Sequence, residues 1–354
     1  MKKLFALLLA LAMITCLFAG CKGNDEPTDP SNSDASTEPS SEATEKHENK
    51  VIYGSDTELS GDLGNAWWTN NATDKLIRDL INDYDVITFD QFGQMKVNET
   101  VSDGVQTAEN EDGTATYTVK IKQGLTYSDG TPITAADYVA YMLVQFSPAT
   151  LEAGATVSSD TVVGGNEYQN GESKVLAGLR LLDEYTYSIS ITPEYANYYY
   201  GLTYASLSPL YLPLYSSAAL TVKDDGEGAY LDGGELKADE INASRYVYEN
   251  RVTAGPYVIK SIDTGALTAT LEINPNYAGN FEGQKPSIQT IVVVKSEDDS
   301  KMDAFTTGEI TFLSQLSEGD QIKTALELVD SGKYSYCHYT RNGYGKIQFQ
   351  CDGG

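Results

Sequence analysis

With 51 Asp+Glu against 24 Lys+Arg, the 354-residue chain carries a formal charge of −27. That balance excludes a nucleic-acid binder, because phosphate contacts depend on lysine and arginine displacing counterions, and it excludes electrostatic adhesion to anionic lipid. The length allows two domains with a substantial core. Salt screens exposed charge beyond about 8 Å, so ligand choice must come from pocket contacts.

Residues 1–20 place Lys2 and Lys3 ahead of an apolar run from Leu4 to Ala19, the pattern of a secretory signal peptide. As a membrane span the run is short. It ends in Leu17-Phe18-Ala19-Gly20-Cys21, which resembles a bacterial lipobox with Phe18 where leucine is usual. The resemblance makes Cys21 the lipidated N-terminus of the mature chain; the alternative is a soluble secreted protein with an inert Cys21. Residues 21–50 are acidic and rich in Ser, Thr and Pro. They lack the apolar surface to fold and are expected to be a disordered tether spanning roughly 30 Å r.m.s.. His47 lies inside it and reads as solvated.

Folded structure is expected from Val51-Ile52-Tyr53, a strand. A polar loop from Ser55 to Asn71 follows and holds both tryptophans, Trp67 and Trp68. Leu76, Ile77, Leu80 and Ile81 recur at helical spacing. Adjacent tryptophans in a polar loop either meet a ligand or face and cover the core. Residues 85–180 read as mostly β, with a hairpin turn at Glu111-Asp112-Gly113. The next strand alternates, Tyr117, Val119 and Ile121 forming its buried face. Within this region Asp129-Gly130-Thr131-Pro132 must reverse the chain, and Thr134 with Asp137 forms a capping-box pattern ahead of a helix with an apolar face at Tyr138, Tyr141, Met142 and Leu143.

Tyr185–Ile191 reads as a further strand, and Tyr195–Leu202 as a helix start or an extended wall. Residues 221–250 read as an exposed acidic loop with little core. Its Asp224-Asp225-Gly226-Glu227-Gly228 run lacks calcium-loop spacing, so no metal site is expected. Strands are expected at Thr253–Asp263, Ala266–Ile273, Ile291–Val294 and Ile310–Leu313, and helices at Lys301–Thr307 and Glu318–Val329. The 25 tyrosines suit an adaptable binding surface, although strand packing accounts for most of them.

The wording of Gly124–Phe146, with Tyr127-Ser128-Asp129-Gly130-Thr131-Pro132-Ile133-Thr134, resembles the signature of the family 5 extracytoplasmic solute-binding proteins, of the oligopeptide-permease type. Gly255-Pro256-Tyr257, Asn274-Pro275-Asn276-Tyr277, Lys285-Pro286 and Gly308-Glu309-Ile310 continue it in the family's order. The resemblance implies a mixed α/β, periplasmic-binding-protein-like lobe with an inserted, mostly β subdomain. Residues 51–84 would start lobe I, 85–180 would be the subdomain with the signature helix, 181–337 would continue lobe I, and 338–354 would cross to a second lobe that is largely missing. It further implies a lipid-anchored monomer, extracytoplasmic, that captures peptides for the permease subunits of an ABC transporter, with no cofactor. On the same ground Trp67, Trp68, Thr69 and Asn70 in the first loop, and Tyr336 and Tyr339 at the crossing, are candidate ligand contacts. The acidic residue that pairs with a peptide amine in the family belongs to the second lobe and is not assigned. Alternatives of the same fold are a receptor for a nickel chelate, a sugar or a signalling peptide, or a surface interaction or chaperone-like lipoprotein without transport.

The sequence holds no G-x-S-x-G, H-E-x-x-H, P-loop or C-x-x-C motif, and no enzyme is expected. His338 and Cys337 are neighbours, and strand neighbours face opposite ways, which argues against a nucleophilic pair. In an exported chain Cys337 and Cys351 can form a disulfide or stay reduced.

Overall fold

The computed structural model describes residues 49–338. Strand β1 (Lys50–Ser55) is the fourth strand of a five-stranded sheet with β10 (Tyr257–Asp263), β11 (Thr268–Ile273), β12 (Thr290–Lys295) and β13 (Phe312–Leu313), in the order β10-β11-β12-β1-β13. β12 and β13 both run parallel to β1, with Ile52 opposite Val292 and Tyr53 opposite Phe312. Helix α1 (Ala72–Ile81) starts where the Asn71 side chain accepts from the Thr73 and Asp74 amides, each at 3.0 Å. Such a cap satisfies amides that lack a helical partner. Ile77 and Ile81, both fully buried, pack with Leu271 and Val293 of the sheet.

A second sheet is antiparallel throughout, with β4 (Ser102–Glu109), β5 (Ala115–Ile121), β6 (Leu179–Asp183) and β7 (Thr186–Ile191) in the order β4-β5-β7-β6. It runs past residue 180 to Ile191. The hairpin between β4 and β5 turns at Gly113, whose φ of 86° suits glycine. The β5 alternation holds, with Tyr117, Val119 and Ile121 all buried. Helix α2 (Ala135–Gln145) packs on β6 and β7. Tyr138 stacks on Tyr187, ring centres 5.8 Å apart, and its hydroxyl donates to the Tyr84 carbonyl at 3.0 Å. A small pair, β2 (Ile87–Phe89) and β3 (Met95–Val97), lies between the two sheets in sequence.

The start of α2 follows the sequence pattern. Asp137 accepts from the Thr134 amide at 2.8 Å and its hydroxyl at 3.1 Å, and from the Tyr127 hydroxyl at 3.1 Å. Burial pushes the Asp137 carboxyl above its ordinary range, with the Thr134 and Tyr127 bonds pulling back only in part. The native state therefore binds this proton more tightly than the unfolded chain does. Its contribution is complete below the ordinary carboxylate pKa and is lost as pH rises through the raised value. In urea unfolding at a series of pH values, Asp137→Asn is expected to be about 1 kcal/mol less stable and to lack this decline; a variant that declines with pH as the parent does would contradict the assignment.

The segment 221–250 corrects the expectation of a coreless loop. It forms a hairpin, β8 (Thr221–Asp224) with β9 (Ala229–Asp232), and helix α3 (Ala238–Ser244). Ala229 and Ile241 are fully buried. Asp224 is held side-on by Arg180, with Nε and Nη2 each donating at 2.8 Å. The anchoring residues are few and far apart, so no periodicity announced them. Tyr195–Leu202 begins in a single helical turn, Pro193–Ala196, and leads to a 3₁₀ turn at Gly201–Ala205. Helices α4 (Lys301–Thr306) and α5 (Gly319–Asp330) stand close to the expected bounds. Among the described residues no helix is long and apolar enough to cross a membrane.

Candidate functional site

Because β1, β12 and β13 run parallel, their carboxyl ends open on one edge of the first sheet. Sheets with parallel strands place ligands in the crevice beyond such ends. Here that edge carries the loop after Ser55, the loop after Lys295 and the loop after Leu313. The first two are tied together. Asp56 accepts from Ser296 Oγ at 3.0 Å and from Lys301 Nζ at 2.6 Å, and Lys301 also reaches Asp298 at 2.7 Å. Lys301 is 2% exposed. Burial alone would lower its pKa, but Asp298 and Asp56 outweigh this and hold it above the ordinary lysine value. A cavity of about 420 Å³ opens beside this cluster, lined among others by Lys295, Ser296, Lys301, Asp303 and Glu309.

The rest of the first loop is fixed by buried polar groups. Asp74, fully buried, accepts from the Ser60 and Gly61 amides, each at 3.1 Å. Asp62 is gripped side-on by Arg245, whose Nε donates at 3.1 Å and whose Nη2 also bonds the carboxylate. The Arg245 guanidinium carbon in turn lies 5.0 Å from the centre of the Trp68 ring, within cation–π range.

Trp67 is buried, edge-on to Tyr141 with ring centres 5.4 Å apart. Trp68 is half-buried, and its indole donates to the Ala153 carbonyl at 3.1 Å. Thr69 is half-buried and its hydroxyl accepts from the Asn71 amide at 3.2 Å, whereas Asn70 is exposed. The structure thus brings Trp67 and Trp68 together as a packed pair, and of the four candidates in this loop Asn70 is the exposed one. Tyr336 is exposed and stacks on His338, ring centres 5.9 Å apart. Tyr339, Cys21 and Cys351 lie outside the described residues, and Cys337 is exposed.

Burial pushes the Asp62 carboxyl upward, but the Arg245 and Gly64 hydrogen bonds outweigh this and leave it below the ordinary carboxylate range. The stabilisation is therefore present above the ordinary carboxylate pKa and is lost as pH falls through the lowered value. Asp62→Ala strands Arg245 over Trp68 and is expected to cost about 3 kcal/mol, with a changed tryptophan emission. Unaltered stability at pH 7 would show that the pair does not hold the loop.

A second, smaller cavity of about 100 Å³ lies behind this loop. Asn65, Tyr127, Tyr141, Tyr215, Arg251 and Thr253 help to line it. Sequence reasoning passed over Arg251; the one legible signal was an arginine directly ahead of the Thr253–Tyr257 stretch in an acidic chain.

The family description "Bacterial extracellular solute-binding proteins, family 5 Middle" matches residues 100–349, more than half of the chain. A search of curated proteins finds no match. Among solved structures, Haemophilus influenzae OppA in complex with RPPGFSPFR is 16% identical with a TM-score of 0.57, covering 79% of this chain and 49% of that one. The oligopeptide-binding protein AppA from Bacillus subtilis, in complex with a nonapeptide, is 18% identical with a TM-score of 0.54, covering 78% and 45%. The periplasmic EDTA-binding protein EppA is 16% identical with a TM-score of 0.57, covering 80% and 46%. The chain spans about half the length of these structures, and it shares with them the mixed α/β, periplasmic-binding-protein-like fold. It belongs to the family 5 bacterial extracellular solute-binding proteins.

Proposed function

We propose that this chain is the receptor component of a peptide uptake system, anchored by lipid at Cys21 and passing its ligand to the permease of an ABC transporter whose ATPase is a separate chain. It acts as a monomer outside the cytoplasm. The observation that carries the reading is the joined carboxyl edge of β1 and β12, in a chain of a solute-binding family whose structural neighbours include peptide complexes. Thr69, Asn70 and the open side of Trp68 are the proposed contacts on this edge, with Trp67 as their support, and Tyr336 and Tyr339 are proposed as further ligand contacts. Ligand capture in such a fold is a hinge closure, in which the ligand's own contacts stabilise the closed state. Hydrated pockets would accommodate varied side chains, since bridging waters adapt to each.

A second reading, a receptor for a non-peptide solute, is favoured by one observation: the EDTA-binding neighbour matches as well as the peptide-binding ones. Both tryptophans of the chain lie in the first loop, so emission from the full chain reports this edge directly. Titration with pooled tripeptides is expected to shift the emission in a saturable way. A saturable shift with EDTA alone would select the second reading, and no shift with either would remove both.

A further inference from the structure

We propose that the smaller cavity, walled by Arg251 and Thr253, is a binding site for a carboxylate. Arg251 is 8% exposed. Its Nη1 donates to the carbonyls of Ser244 at 2.7 Å and Val247 at 3.0 Å, and its Nη2 donates to that of Leu63 at 3.3 Å. All three partners are neutral. Among the described residues the ion pairs of arginine are Arg180 with Asp224 and Arg245 with Asp62, and Arg251 has none. A buried cation without a counter-charge is costly to keep.

The two paired arginines show what is absent. Each presents Nε and Nη2 together to one aspartate, the side-on fork that matches a carboxylate. In Arg251 the Nε is buried with no partner. Thr253 Oγ1, on a residue 3% exposed, is likewise buried with no partner. Two unsatisfied polar atoms, one of them on a guanidinium, therefore belong to residues that line the same cavity. Buried polar groups are nearly always hydrogen-bonded, so this pair points to an acceptor that the chain itself does not supply.

The other walls fit the same ligand. Tyr127, Tyr141 and Tyr215 are rings in the lining, and the Tyr127 hydroxyl is already committed to Asp137. A small alkyl group against these rings and a carboxylate against Arg251 would match the chemistry. At about 100 Å³ the cavity exceeds what one water needs and admits only a short acid or the end of a longer one. Free small acids and the C-terminal carboxylate of a peptide share this chemistry.

The test is calorimetric titration of the full chain with acetate against its neutral isostere acetamide, and with trialanine against trialanine amide. Acetate is expected to bind and acetamide not to. Thr253→Val is expected to weaken acetate binding at least fivefold without lowering the unfolding midpoint, because the hydroxyl it removes has no partner. Arg251→Met is expected to abolish binding; if that variant does not fold, Thr253→Val carries the test alone. Equal binding of acetate and acetamide, or an unchanged affinity in Thr253→Val, would overturn the site and leave a water-filled structural cavity.

The acetate arm stands on geometry, and only the trialanine arm rests on the peptide capture proposed above. Acetate binding that Thr253→Val weakens, with neither peptide bound, supports the site and removes peptide capture. Peptide binding that ignores both the amide and the variant supports capture and overturns the site. A preference for free trialanine that disappears in Thr253→Val identifies the peptide terminus as the source.

Discussion

Replacing Gly255 by alanine is expected to abolish cooperative folding, or to lower stability by about 4 kcal/mol or more. A Cβ at this position would lie 2.3 Å from the Ile81 carbonyl carbon, 2.5 Å from the Asn82 nitrogen and 2.7 Å from the Ile81 oxygen. All three are backbone atoms at the end of α1, which cannot rotate away as a side-chain tip could. The closeness is enforced by hydrogen bonds, since the Gly255 amide donates to the Ile81 carbonyl at 2.8 Å and Asn274 Nδ2 donates to the Gly255 carbonyl at 2.8 Å. Relief would need backbone movement in a segment that also carries Tyr84, a buried residue at φ 70°. A left-handed, non-glycine backbone of this kind persists only where packing enforces it. Gly319→Ala is the control, because nothing lies within 4 Å of its Cβ position. It is expected to be neutral or slightly stabilising. Urea unfolding of both variants decides the matter, and a Gly255→Ala chain within 1 kcal/mol of the parent would refute the close approach.

The second large effect is expected from Tyr138→Ala. Tyr138 is fully buried on α2, stacked on Tyr187, and bonded to the Tyr84 carbonyl. Removing the ring leaves a cavity between the helix and the second sheet, at a cost of about 4 kcal/mol. Tyr138→Phe keeps the ring and deletes only the hydroxyl, leaving the Tyr84 carbonyl short of a donor, so about 1–2 kcal/mol is expected. The ratio separates packing from hydrogen bonding. Equal losses in the two variants would place the whole effect in the hydrogen bond and contradict the packing account.

These positions show why some of the molecule was legible in the sequence. The turn at Asp129-Gly130, the cap at Thr134 and the alternation of Tyr117, Val119 and Ile121 are local, each requiring only neighbours in the chain. The family motifs were legible as words, but their reason is spatial. Ser128 donates its amide to the Thr253 carbonyl at 2.8 Å and accepts from the Thr253 amide at 3.1 Å. Asn276 Nδ2 donates to the Ser128 carbonyl at 3.0 Å, and Tyr277 bonds Asp83. The signature turn, the Gly255-Pro256-Tyr257 stretch and the Asn274–Tyr277 stretch thus form one hydrogen-bonded junction. Their shared role in this structure is to join the end of α1 and the signature turn.

What depends on distant partners was not legible. Trp67 and Trp68 look alike in sequence, and their difference comes from Tyr141, Ala153 and Arg245, each remote along the chain. The fold of 221–250 rests on Arg180 reaching Asp224 and on Ile241 entering the core, neither of which leaves a periodic mark. The Arg251 cavity combines residues from Asn65 to Ala254. Only the folded chain puts a guanidinium without an ion pair and a hydroxyl without a partner on the walls of one cavity.

The central claim is that ligand is captured at the edge formed by the ends of β1, β12 and β13. Hydrogen exchange of the full chain, with and without saturating tripeptide pool, tests it most directly, because opening of exposed loops costs little and ligand contact suppresses it. Slowed exchange in the loop from Asp56 to Asn71 and in the loops after Lys295 and Leu313, with the second sheet unchanged, is the predicted result. Peptide binding that protects other segments and leaves these three loops exchanging as before would contradict it.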